Sequence, residues 1–172
     1  MLTADLLIAI AQVAVALAGF SGLIAAIRTA APDGWHPRDI WSLSWMLGTS
    51  IGALVLALLP LWLGLFGWTE NFVYRTSSAF AFLYIGTFAC VMAWAGHRLT
   101  LKGYPPRVPF FPAAITLLLA VAAAATVAGA AGWLNEAVVP AYVGSLIALL
   151  VASALVLAVF LVLLARLAQR KA

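Results

Sequence analysis

Five apolar runs, at about residues 6–27, 40–66, 72–96, 113–133 and 138–165, dominate the chain. A helix rising 1.5 Å per residue needs about 20 apolar residues to cross a ~30 Å hydrocarbon core, and every run reaches that length. The second and fifth runs are long enough to tilt or to extend into the headgroups. The expected fold class is therefore all-α: an integral membrane helical bundle with five transmembrane helices, forming one transmembrane domain over residues 1–172.

Composition points the same way. Apolar residues make up 66% of the chain and charged residues 8%, against about 25% charged in a soluble domain. Such a chain could not cover a water-facing surface. The net charge of +4 sits at helix ends and in short loops, where topology and anionic headgroups account for it better than nucleic acid does. Cys90 falls within the third run without a partner cysteine, so it can form no disulfide within the chain.

The cations are distributed asymmetrically. With five spans, Arg28, Arg38, Arg98, Lys102, Arg107, Arg166, Arg170 and Lys171 fall on one side, and only Arg75 falls on the other. Positively charged loops stay cytoplasmic, which predicts an external N-terminus and a cytoplasmic C-terminus in a bacterial inner membrane or its equivalent. The start, Met1-Leu2-Thr3-Ala4-Asp5, lacks a basic segment before its apolar run, so the first helix is expected to be retained. One preferred orientation also means that any homo-oligomer is parallel.

Turn chemistry separates the runs. Pro32-Asp33-Gly34 marks a turn, and Pro37 suits the first turn of the second helix. Gly67-Trp68-Thr69-Glu70 joins the second and third helices tightly, with Thr69 as N-cap and Glu70 at the positive end of the helix dipole. Trp35, Trp41, Trp45 and Trp94 fall toward the inner interface, and Trp62, Trp68 and Trp133 toward the outer one. Two belts of indoles are expected at the two headgroup levels.

Small residues concentrate on one side of the first helix. Two heptad lines run side by side, Ala4-Ala11-Ala18-Ala25 and Asp5-Gln12-Gly19-Ala26, with Ala14, Ser21 and Gly22 beside them. Leu6, Val13, Phe20 and Ile27 lie opposite. Small side chains let helices approach closely in lipid. The face of Gln12, Ala18, Gly19, Ser21 and Gly22 is accordingly either a packing surface within the chain or the lining of an oligomer axis. The fourth helix carries a second stripe in Ala124, Ala128 and Gly132, with Ala125 and Gly129 beside it.

Within the membrane the polar groups are neutral: Gln12, Ser21, Thr49, Ser50, Thr87, Thr126 and Ser153. Coupled transporters place a carboxylate, His or Lys near the bilayer centre to bind their ion, so pumping is not expected. Arg75 lies about five residues into the third helix, with Glu136 and Asp5 on the same side as candidate ionic partners. A snorkelling role at the outer rim, contact with a passing anion and a gating ion pair are the three readings for it.

Metal and catalytic signatures are sparse. Across the tight hairpin of the second and third helices, His36 and His97 fall at similar depth on neighbouring helices. Two imidazoles can hold a haem or part of a metal site, but only Asp39 is close enough in sequence to support them. Interfacial histidines without a ligand are the simpler reading, and no cofactor is expected. The chain shows no nucleophile motif, phosphate-binding loop or paired carboxylates, so an enzyme is not expected. A homo-oligomeric, channel-like or passive transport component, in contact with membrane lipids, is the function expected. An accessory or scaffold subunit for a larger membrane protein is the alternative, and a small haem-binding redox subunit comes third.

Overall fold

The computed structural model describes residues 2–29, 35–106, 108–134 and 137–169. The Pro32-Asp33-Gly34 turn, Arg107, Glu136, Arg170 and Lys171 lie outside the described residues. Five helices follow one another: α1 Leu2–Thr29, α2 Pro37–Gly64, α3 Glu70–Leu101, α4 Phe111–Ala130 and α5 Val138–Gln169. All five are long and apolar enough to cross a membrane. The 32 residues of α3 span about 48 Å at 1.5 Å per residue, well beyond a ~30 Å core, so its ends enter the headgroup layers.

Local chemistry sets the ends. His36 caps α2, its Nδ1 accepting from the Arg38 amide at 3.2 Å, and Pro37 follows in the first turn, where its missing N–H costs nothing. Glycines in left-handed backbone close α3 and α4. Gly103 has φ 85° and Gly132 φ 80°. At both, the next residue reaches back across the turn, Tyr104 N–H to Leu99 O at 2.9 Å and Trp133 N–H to Ala128 O at 3.0 Å. This bonding satisfies carbonyls that a helix end leaves open.

The two central helices are α2 and α5. One flank holds α1, which packs mainly on α2; the other holds α3 and α4. Trp45 and Met46 of α2 and Tyr142, Leu146 and Leu149 of α5 fill the middle of the bundle. Trp45 is 1% exposed, held edge-on by Trp41 and Phe88, so it belongs to the core and not to the interfacial belt. Trp62, Trp68 and Trp133 remain exposed at one end, and Trp94 at the other.

Two bare glycines of α2 form a seam with α3. A Cβ added at Gly48 would run into the Phe88 ring, and one at Gly52 into the Tyr84 ring. Those rings lie one helical turn apart on α3 and stack in parallel, 5.9 Å between centroids. The Tyr84 hydroxyl donates to Gly48 O at 2.6 Å. Gly48-Thr49-Ser50-Ile51-Gly52 is thus a close-approach motif with aromatic side chains seated on its two bare positions.

Candidate functional site

The structure divides the small face of α1. Leu7, Ile10, Ala11, Ala14, Ser21 and Ile24 are buried against the bundle, and Ala18 is half-buried. Ser21 satisfies its hydroxyl on Leu17 O at 2.9 Å within its own helix. Gln12, Gly19 and Gly22 face outward, and no atom lies within 4 Å of a Cβ built on either glycine. The heptad line Ala4-Ala11-Ala18-Ala25 therefore turns inward, while Asp5-Gln12-Gly19-Ala26 turns out beside exposed Leu6, Val13, Phe20 and Ile27. Gln12 lies about 15 Å along α1 at 1.5 Å per residue, a depth at which the surrounding lipid offers no hydrogen bonds.

Inside the bundle the described polar groups are neutral and mostly bonded to backbone carbonyls, with one pair bonded to each other. The Ser50 and Ser153 hydroxyls pair at 2.7 Å between α2 and α5, and Ser153 also reaches Met46 O at 3.2 Å. Thr49 donates to Trp45 O, Thr126 to Ala123 O and Ser145 to Ala141 O. Thr87 is exposed. Ser78 meets the bare flank of Gly129 across the α3–α4 contact, its hydroxyl buried without a partner.

Charges gather at the basic end. The Arg28 guanidinium at the end of α1 meets the Asp39 carboxylate in the first turn of α2 at 3.0 Å. Arg38 is 5% exposed and Asp39 2%. Arg38 gives its Nε–H to Tyr104 O at 2.7 Å, and one Nη to both Thr100 Oγ1 at 2.7 Å and Gly96 O at 3.2 Å. A guanidinium placed on the carbonyl end of α3 meets the negative pole of that helix. Arg38 thereby ties the start of α2 to the end of α3 and its loop. It also lines a cavity of about 40 Å³ with Trp41, Phe111 and Phe160.

Arg75 takes a comparable place at the other end. Its guanidinium lies over Gly132, and Nη2 donates to Ala130 O at 3.5 Å, a long bond to the closing turn of α4. Asp5 is exposed on α1. The side of α3 that approaches the start of α1 carries Glu70, Val73 and Tyr74, whereas Arg75 faces α4. Asp5 and Arg75 are thus not brought together, nor are Gln12 and Arg75, and Glu136 is outside the described residues.

His36 spends Nδ1 on the α2 cap and packs edge-on against Tyr104, 5.3 Å between centroids. His97 is exposed on α3. Among the described residues no cluster of three or more His, Cys, Asp or Glu could hold a metal ion.

Two features escape a reading by composition. The burial of Arg38 and Asp39 has no sequence signature, since both read as ordinary loop-proximal charges. The Gly48–Gly52 spacing was visible in the sequence, but small residues abound in this chain and only the seated rings distinguish this pair. Taken together, the helices define an all-helical membrane protein with five transmembrane helices. No protein-family model matches the chain, and neither does any curated protein or solved structure.

Proposed function

We propose that this chain is a channel-like, passive transport component of a bacterial inner membrane, working as a parallel homo-oligomer joined through the outward face of α1. The observation that carries the proposal is the outward turn of Gln12 with Gly19 and Gly22 beneath it. An amide facing hydrocarbon loses its water partners, at a cost of a few kcal/mol. A neighbouring copy or a wetted axis restores them. Bare glycines on the same face let a second helix approach closely and gain dispersion contacts. The eight-to-one distribution of cations favours one orientation and hence parallel copies, with the N-terminus outside. A neutral lining suits passive movement, because no ionisable group stands at Gln12's depth on this face to bind a coupling ion.

The test is crosslinking followed by flux. In a Cys90→Ser background, Gly19→Cys and Gly22→Cys should each form disulfide-linked dimers in native membranes, whereas Phe20→Cys should do so less. Reconstituted wild-type protein should pass small solutes, and Gln12→Leu should lower that flux while the Gly22→Cys crosslink persists. A protein that neither crosslinks nor conducts, and that co-purifies with another membrane protein, would assign this face to an accessory subunit instead.

A further inference from the structure

Beyond the Gly48–Gly52 seam, toward the basic end, α2 and α3 leave a groove of about 410 Å³. That volume falls within the roughly 300–1,000 Å³ of small-molecule sites. Its floor and walls are apolar, including Ile40, Trp41, Met92 and Trp94, and its rim carries Arg98 and Lys102. We infer that this groove is a site for an anionic phospholipid, with the phosphate on Arg98 and Lys102 and an acyl chain along Ile40, Trp41 and Met92.

Three observations carry the inference. The first is charge: among the described residues two cations and no carboxylate line the groove, and a basic rim at headgroup level attracts anionic lipid. The second is the placing of the cations. Arg98 and Lys102 are four residues apart at the end of α3, so they lie on one face about one turn apart. The Arg98 guanidinium lies with its carbon over the Trp94 ring, 4.0 Å from the centroid, a cation–π contact that holds the charge at the groove rim. Its N–H edges stay available to phosphate oxygens. The third is polarity along the depth. Charge stands at the helix end and apolar surface runs inward from it, the same order as headgroup and chain in a lipid. Trp41 gives the groove a fixed wall, because its indole N–H donates to Met92 O at 3.1 Å and its ring packs on Gly96. A free phosphate would use the rim alone and leave the apolar floor uncovered.

The experiment uses the full chain in nanodiscs of phosphatidylcholine containing a small fraction of phosphatidylglycerol with brominated acyl chains. Bromine quenches indole fluorescence at contact range, and Trp41 and Trp94 line the groove. Brominated phosphatidylglycerol should quench more than brominated phosphatidylcholine at equal fraction, and the excess should shrink in Trp94→Phe. The variant Arg98→Gln/Lys102→Gln should weaken the preference roughly 25-fold, about fivefold for each cation removed. If that pair disturbs folding, Lys102→Gln alone, at the exposed end of α3, should still give the fivefold loss. Equal quenching by the two lipids would overturn the inference, as would a preference that survives loss of both cations. Displacement of the quencher by millimolar inorganic phosphate would overturn it too, by assigning the rim to a free anion.

Discussion

The hydroxyl of Tyr142 on α5 donates to the carbonyl oxygen of Leu56 on α2 at 2.5 Å. In an unbroken helix that carbonyl accepts from the amide four residues on, which here is Pro60 and has no N–H. Pro60 is buried within α2, and Tyr142 is fully buried opposite it. A proline inside a transmembrane helix frees a carbonyl that lipid cannot satisfy, and a neighbouring helix supplies the donor. The pairing ties α5 to α2 at the point where the backbone of α2 has a gap.

Tyr142→Phe should therefore destabilise the protein by about 1–2 kcal/mol, the cost of an unsatisfied buried acceptor. The ring and its edge contact with Tyr74 at 5.7 Å are kept, so the loss reports the hydroxyl. In a Pro60→Ala background the amide returns and the same substitution should cost far less. A double-mutant cycle of unfolding midpoints in mild detergent gives the coupling. Equal costs in both backgrounds would show that the Leu56 carbonyl is satisfied by other means.

The α2–α3 seam makes a second test. Gly52→Ala and Gly48→Ala place a methyl into the Tyr84 and Phe88 rings, and overpacking of a fitted contact costs about 1–3 kcal/mol. Tyr84→Phe removes only the bond to Gly48 O and should cost about 0.6 kcal/mol, the average for hydrogen bonds between membrane helices. Gly22→Ala is the control, because its surroundings within the protomer are open. Thermal stability of the monomeric protein in detergent should rank Gly52→Ala and Gly48→Ala well below Tyr84→Phe, and Gly22→Ala close to wild type.

These contrasts show which parts of the architecture the chain spells out. Helix number and rough position follow from length and apolarity, because the hydrocarbon core imposes both. Which side of each helix faces the bundle does not follow, since lipid and core are equally apolar. Leu7 is buried and Leu6 exposed on the same helix, and nothing in their chemistry separates them. The α1 face is the clearest instance. Ala18, Ser21, Gly19 and Gly22 look alike as small residues, but a quarter-turn of the helix puts the first two inward and the glycines outward. Trp45 reads as an interfacial indole by position and proves to be core. Pro60 and Tyr142 were each legible as residues, but their partnership depends on the packing of α5 against α2.

Arg38 supplies a third prediction. Its planar fork reaches Tyr104 O, Gly96 O and Thr100 Oγ1 together, a pattern that a single ammonium on a flexible stem cannot reproduce. Arg38→Lys should lower stability by about 1–3 kcal/mol, the range for hydrogen bonds to a charged group and for leaving buried acceptors open. The effect should be local. Amide exchange should quicken at the end of α3 and around Tyr104, while the Tyr142–Leu56 region keeps its protection. Uniform loss of protection would mean that Arg38 holds the whole bundle and not this one corner.

The orientation of the bundle gives the last prediction. Arg28, Arg38, Arg98 and Lys102 stand at one end of the described helices and Arg75 at the other. The connecting segments are short, the condition under which Lys and Arg set topology. Reporter fusions in the Lys102–Pro109 segment and beyond Gln169 should both read cytoplasmic, and a fusion at Gly67-Trp68 should read external. Arg75 lies on the closing turn of α4 near Ala130 O, so Arg75→Gln removes the one opposing charge and should leave the orientation unchanged. Removing Arg98 and Lys102 together should weaken the bias and produce a mixed population. An external reading beyond Gln169 with an external Gly67-Trp68 would require an even number of spans between those two fusion sites, whereas α3, α4 and α5 provide three.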